Sequence, residues 1–309
     1  PDRIRFELER AWWTAQEGRP GPVLVDIPDD FQRAEVDPDD LEGFSAPVET
    51  TMQIDAEAQA RMMEFMESAE RPICILGSGL NHGISREELI SWLEEWGFPF
   101  ALTWGGKALI PARHKQHTGL VGICGSRSAN FSVQNADLIL VLGSRLSQNV
   151  TGGKTEWFGR EAKIIVVDID QSELDKFAPM GISVLGIHGR AGDFIRLAHP
   201  VVSELPRPRY AQWIKQVQKW KAMYKVAGET VTPEANTVDA IQFSRAISKA
   251  AQTGERCVVD TGGTLTWFCQ GFEVKDRQRI ISAWNFTPMG YALPASVGVA
   301  IAAPGERVV

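Results

Sequence analysis

Apolar and polar positions follow two rhythms along this chain, and the change from one to the other marks its elements. Residues 4–16 set Ile4, Leu8, Ala11, Trp12 and Ala15 on one side of a helix, and Gly18 stands where such a helix ends. Residues 22–27, PVLVDI, are a short apolar run that predicts a buried strand. From 28 to about 54 the chain is acidic and broken by prolines, the pattern of a linker. Helix and strand patterns then alternate from 55 to 200, with helices at 56–69, 86–96, 128–136 and 190–198. Strands fall at 73–76, 98–102, 137–142, 163–167 and 182–185. This alternation predicts an α/β fold, an open parallel sheet with helices on both faces. A second proline-rich linker at 200–208 leads to a polar helix at 210–226 carrying Trp213 and Trp220. An amphipathic helix follows at 237–251, with Thr237 as N-cap and Ile241 and Ile247 facing inward. Strands are expected at 257–259 and near 281. Residues 285–298, NFTPMGYALPASVG, then join a Pro/Gly turn to a small-residue apolar run, the pattern of a tightly packed core helix. Val308 and Val309 read as the start of one more strand.

Composition narrows the class. The length of 309 residues suits roughly two domains, and 44% apolar with 23% charged residues is ordinary for a globular protein. A formal charge of −7 without a basic block argues against nucleic acid or an anionic membrane as partner. The longest apolar run is too short and too rich in Gly, Ala and Pro to span a bilayer, and no signal peptide is expected. Cys74, Cys124, Cys257 and Cys269 form no CxxC pair, which points to buried thiols in a reducing, cytoplasmic setting. Both ends read like domain interior, so the chain is expected to be a fragment.

Candidate chemistry sits on the loops that follow strands, where parallel α/β sheets bind ligands. Gly77-Ser78-Gly79 could cradle a phosphate with backbone N–H groups, or be a tight turn. Arg145, after Gly143, could pair with a phosphate, or be a surface arginine. Asp168 and Asp170 stand where a ribose hydroxyl would be accepted, or cap the next helix. The five histidines are scattered and none adjoins a Ser or Cys signature, so a serine or cysteine hydrolase is poorly supported. No carboxylate cluster has metal-ligand spacing, so no metal ligand is assigned.

These segments together resemble a known family. GRPGPVLVDIPDDFQ (18–32) is similar to the end of the first domain of thiamine-diphosphate-dependent enzymes of the acetolactate synthase type. LVLGSRLSQNVTG (140–152) with VVDIDQSELDK (166–176) resembles their central domain. VVDTGGTLTW (258–267) and TPMGYALPASVGVAIAAPGERVV (287–309) resemble the start of their diphosphate-binding domain. The resemblance implies partial three-domain architecture. Residues 1–35 would be the C-terminal end of the pyrimidine-binding domain and 36–54 a linker. A central Rossmann-like nucleotide-binding-type domain would span 55–200, a linker and helix 201–236, and the first part of the diphosphate-binding domain 237–309. Gly263 and Thr264 match positions that touch the diphosphate, Met289 the residue that bends the cofactor, and Thr287 the one whose carbonyl receives its amino group. Thr287 stands where glycine is common, and Gly263-Thr264 where glutamine and histidine are usual.

The implied activity is decarboxylation of a 2-keto acid such as pyruvate and transfer of the two-carbon unit to a second carbonyl. Thiamine diphosphate and Mg²⁺ would serve as cofactors, in a homodimer or homotetramer with the active site between subunits. The protonating glutamate is expected before Pro1 and the metal ligands after Val309, so the fragment alone is expected to be inactive. Flavin-using relatives match at Gly77, Gly79, Thr103, Gly143 and Arg145. Ile123-Cys124 replaces their Met-His, and Ser147 and Asn149 replace charged residues, which counts against FAD or ADP. An activated keto-deoxysugar as acceptor, or a non-catalytic nucleotide-binding or assembly module, are the alternatives.

Overall fold

The computed structural model describes residues 1–48, 52–204, 210–224, 234 and 236–309. It divides into two compact units, Pro1–Gln53 and Ile54–Val309.

In the first unit, helix α1 (Ile4–Gln16) is followed by the short α2 (Asp29–Gln32) and a 3-10 turn at Pro38–Asp40. The rings of Phe6 and Trp13 meet Phe44 at 5.4 and 5.6 Å, and Phe44 N donates to Glu9 Oε2 at 2.7 Å. The strand predicted at 22–27 is absent: those residues take no regular secondary structure, and Leu24 is 87% exposed. No other strand lies among the described residues of this unit, so PVLVDI has no ladder for its N–H and C=O groups.

The second unit holds a six-stranded, all-parallel sheet. Its elements run α3 (Ala56–Ser68), β1 (Pro72–Leu76), α4 (Arg86–Trp96), β2 (Phe100–Leu102), β3 (His117–Leu120), α5 (Arg127–Gln134) and β4 (Leu138–Leu142). There follow α6 (Gln148–Thr151), β5 (Lys163–Asp168), α7 (Gln171–Asp175), β6 (Leu185–His188) and α8 (Ala191–Val202). Strand order is β3-β2-β1-β4-β5-β6, with β1 and β4 paired from Pro72↔Leu138 to Leu76↔Leu142. Inner strands such as PICIL and LILVL are buried at every position, whereas the edge strands β3 and β6 bury alternate residues. That difference explains two departures from the expected pattern. β3 (HTGL) carries no apolar run to announce it, and β6 begins where the strand expected at 182–185 ends. Helices start on side-chain caps: Asp55 accepts from Ala58 N, Ser85 from Glu88 N and Ser126 from Ala129 N. Each such cap stabilises its helix by ~1 kcal/mol. Helix α8 carries Pro200 within its last turn and continues to Val202, so the linker expected from 200 starts later. Residues 205–209 of it lie outside the described residues.

Helix α9 (Ala211–Met223) buries Trp213, whose Nε1 donates to Pro72 O at 2.8 Å. Helix α10 (Ala240–Ala250) is capped by Asp239, which accepts from Gln242 N at 2.7 Å, in place of Thr237. Ser244 and Ser248 are its buried residues, while Ile241 and Ile247 are half-buried. β7 (Arg256–Val258) and β8 (Arg279–Ile281) pair in parallel across α11 (Gly263–Gly271). Val308 bridges Arg256 in parallel on the other side of β7, and Val258 N donates to Val309 O at 2.8 Å. Helix α12 (Ala292–Ala302) packs on β7 along one side and has no buried residue. The expectation of a tightly packed core helix is therefore corrected, because no described element lies across its outer side.

Candidate functional site

The loops after β7 and β8 bring the four predicted cofactor residues onto one edge of the small sheet. After β7 the chain runs through Asp260 and Thr261 into Gly262, whose φ of 74° and ψ of −145° suit glycine alone. Helix α11 then begins at Gly263 without a side-chain cap. Its first-turn N–H groups have no intrahelical acceptor and lie beside the positive end of the helix dipole. Gly263 and Thr264 are both exposed. Trp267 folds back one turn: a Cβ on Gly263 would stand 2.9 Å from its ring.

The loop after β8 carries Thr287 and Met289. Trp284 and Thr287 both take left-handed backbone angles, φ 37° and 43°, and so does Gly290 at 84°. For a β-branched residue such as Thr287 this conformation costs of order 1–3 kcal/mol. Met289 is 92% exposed and Phe286 95%. Asp260 ties the two loops together. Its carboxylate accepts from Thr261 N at 2.7 Å, Ala292 N at 3.2 Å and Gly290 N at 3.3 Å. The bonds from Thr261 and Ala292 lower its pKa below the ordinary 3.8. Sequence reasoning gave Asp260 no role beyond its place in the segment VVDTGGTLTW. Its signal was an acid directly after a parallel strand and before a glycine pair.

An uncapped helix start with open glycine backbone, a free hydroxyl at Thr264 and an exposed thioether nearby suit a ligand with an anionic tail and a flat ring. Among the described residues no group of three or more His, Cys, Asp or Glu is placed to hold a metal ion.

The second predicted set lies at the carboxyl ends of β1, β2, β4 and β5, where strand order reverses between β1 and β4. There the N–H groups are engaged within the protein. Gly77 N donates to Leu142 O and Gly79 N to Gly143 O, both at 2.9 Å, and Thr103 N donates to Leu76 O at 3.0 Å. A Cβ on Gly77 would come within 2.2 Å of Gly143 O, so these glycines let two loops interlock. Ser78 is exposed at the rim and Thr103 is buried. Arg145 Nη1 reaches Glu173 Oε1 at 3.1 Å, and Lys176 pairs with the other oxygen of Glu173. Burial opposes the Glu173 carboxylate, but the Lys176 and Arg145 bonds outweigh it and hold its pKa below the usual range. Asp168 Oδ1 accepts from Asp170 N at 3.0 Å, and Asp170 caps α7 through Ser172 N at 3.0 Å. The cysteines are free; Cys74, Cys257 and Cys269 are buried and Cys124 is partly exposed. No helix among the described residues is long and apolar enough to cross a membrane.

Comparison with known proteins bears on both edges. Residues 59–196 match the thiamine pyrophosphate enzyme central domain, and residues 260–309 the C-terminal thiamine-pyrophosphate-binding domain. The acetolactate synthase isozyme 1 large subunit of Escherichia coli is 31% identical over 97% of this chain and 51% of its own length. The acetolactate synthase large subunit of Lactococcus lactis is 28% identical over 98% of the chain and 51% of its own. A probable chloroplastic acetolactate synthase of Oryza sativa is 30% identical over the whole chain and 46% of its own. The chain thus spans about half the length of the curated relatives it matches. With both domain matches in chain order and this similarity along nearly all of it, the chain belongs to the thiamine pyrophosphate enzyme family and is of the acetolactate synthase-like kind.

Proposed function

We propose that this chain belongs to a 2-keto-acid decarboxylase and carboligase, acting on pyruvate and passing the two-carbon unit to a second carbonyl. The observation that carries the reading is the Asp260 bridge, which holds the exposed start of α11 against the exposed loop of Thr287 and Met289. Thiamine diphosphate, when bound, supplies the electron sink for loss of carbon dioxide. The chain's own residues bind and orient. Gly263, Thr264 and the first-turn N–H groups of α11 would take the diphosphate. Met289 would pack against the ring of the cofactor, and the Thr287 carbonyl would accept its amino hydrogen. Asp260, ionised at neutral pH, keeps the two loops in register so that both contacts are made together. Mg²⁺ would neutralise the diphosphate with ligands outside the described residues. Assembly as a homodimer or homotetramer, with the active site between subunits, is part of the same proposal. The engaged N–H groups of Gly77 and Gly79 argue against FAD or ADP at the central sheet.

The test uses the product of the complete reading frame. Pyruvate is expected to release carbon dioxide and yield acetolactate only with thiamine diphosphate and Mg²⁺. Met289→Ala should lower kcat/KM by about tenfold or more, roughly 1.4 kcal/mol of lost orientation. No release from pyruvate at saturating cofactor would sink the proposal, and release without acetolactate would move the acceptor to another carbonyl compound.

A further inference from the structure

Helix α11 is gripped at its far end by the segments around the central sheet. Lys107, between β2 and β3, is buried, and its Nζ donates to Cys269 O, a last-turn carbonyl of α11, at 2.8 Å. Burial lowers the Lys107 pKa, and the Glu273 carboxylate works in the opposite direction. A buried ammonium is costly unless something negative faces it; here it meets the carbonyl end of a helix dipole. Neighbouring ties run the same way. Gln270 Nε2 donates to Cys124 O at 3.2 Å, Ala112 N to Val274 O at 2.9 Å, and Arg86 Nη2 to both Ala108 O at 2.6 Å and Gln278 O at 3.4 Å. At the opposite end of the same short helix lie Gly263 and Thr264. Nine helical residues span only about 13 Å and move as one rod.

We propose that Lys107 is a positioning residue for the first turn of α11: by fixing the helix at its carboxyl end, it sets where Gly263 and Thr264 present their N–H groups. This rests on the reading that the first turn takes a diphosphate. A methionine would fill the same volume, but it would leave Cys269 O without its donor and the helix without its counter-charge. The central sheet thereby acts on the cofactor site without touching it.

Hydrogen–deuterium exchange on this chain, without ligand, reads the grip directly. In Lys107→Met the amides of 263–272 should exchange about tenfold faster while β1, β4 and β5 keep their protection, and Lys107→Arg, which keeps charge and donor, should restore most of it. Unchanged exchange at 263–272, or equal loss across the sheet, overturns the proposal. Should Lys107→Met fail to fold, Gln270→Ala is read by the same criterion. In the complete protein, Lys107→Met should raise the thiamine diphosphate Kd about tenfold with kcat at saturation kept within about twofold; lower kcat at unchanged Kd also overturns it. The two readings fail separately: absence of added protection at 263–265 when thiamine diphosphate and Mg²⁺ bind the unmutated complete protein counts against the diphosphate site, whereas the exchange result with Lys107→Met is obtained without either.

Discussion

Strand β4 and helix α12 are made of the same kind of residue, yet they end in opposite surroundings. LILVL in β4 is buried at all five positions, between β1 and β5. ALPASVGVAIA in α12 buries none, and Leu293, Val297 and Ile301 form an exposed row four residues apart. Apolar sequence shows that a face can be covered; whether it is covered depends on what else the chain places there. The central sheet supplies its own cover, with strands pairing strands and helices crossing over. Helix α12 packs on β7 along one side and leaves Leu293, Val297 and Ile301 exposed. Access for a ligand follows the same division. The covered region is interlocked to the point of engaging its own loop N–H groups, while the open region leaves helix-start N–H groups and a methionine available.

Truncating equivalent apolar side chains should expose that contrast most strongly. Ile139→Ala in β4 is expected to cost about 2–5 kcal/mol, because Ile139 is fully buried in the sheet's main cluster. Leu293→Ala should stay within about 0.5 kcal/mol. Urea denaturation of both variants checks this, and a comparable loss at Leu293 would mean that α12 is covered in solution. Glycine substitutions come next. Gly143→Ala meets Leu80 N at 2.8 Å and Gly79 Cα at 2.9 Å with φ +62°, so strain and overlap together should cost more than about 2 kcal/mol. Gly290→Ala, at φ +84° with nothing within 4 Å, pays only the backbone term of about 1–2 kcal/mol. Thermal unfolding of the pair measures the difference, and equal values would mean that the β1 and β4 loops yield.

The smallest effect is local and depends on pH. The Asp260 pKa is lowered in the folded protein, so its bridge contributes fully above the unfolded value of about 3.8 and is lost as pH falls through the lower folded value. Amide exchange at Gly290 and Ala292, corrected for intrinsic rates, should accelerate only below about pH 4. In Asp260→Asn that acid-dependent step should vanish while the β4 amides are unchanged. A step that persists in the variant would assign it to another group.

Inner strands were the most legible parts of the chain because burial on both faces writes a continuous apolar run, as in 73–76 and 137–142. The edge strand HTGL was not, since half its side chains face outward and a glycine interrupts it. PVLVDI shows the reverse error: it has a strand's composition but no strand beside it among the described residues. At the candidate site, Gly263, Thr264 and Met289 were singled out by the resemblance to the family, which matches them position by position. The part played by Asp260 could not be found that way, because its acceptors' donors lie thirty residues away on another loop.

What the sequence determined alone was local: the helices beginning near 56 and 86, the inner parallel strands, and which loops follow strands. Those depend on nearest neighbours and on side-chain periodicity, which the linear order contains. The tertiary structure decided the rest. It turned Gly77, Gly79 and Gly143 into an interlock, gave Arg145 to Glu173 and Asp170 to a helix start, and left α12 open. It also placed Lys107 at the carboxyl end of α11. Each of these turns on which donor meets which acceptor across long stretches of chain, and packing alone chooses those partners.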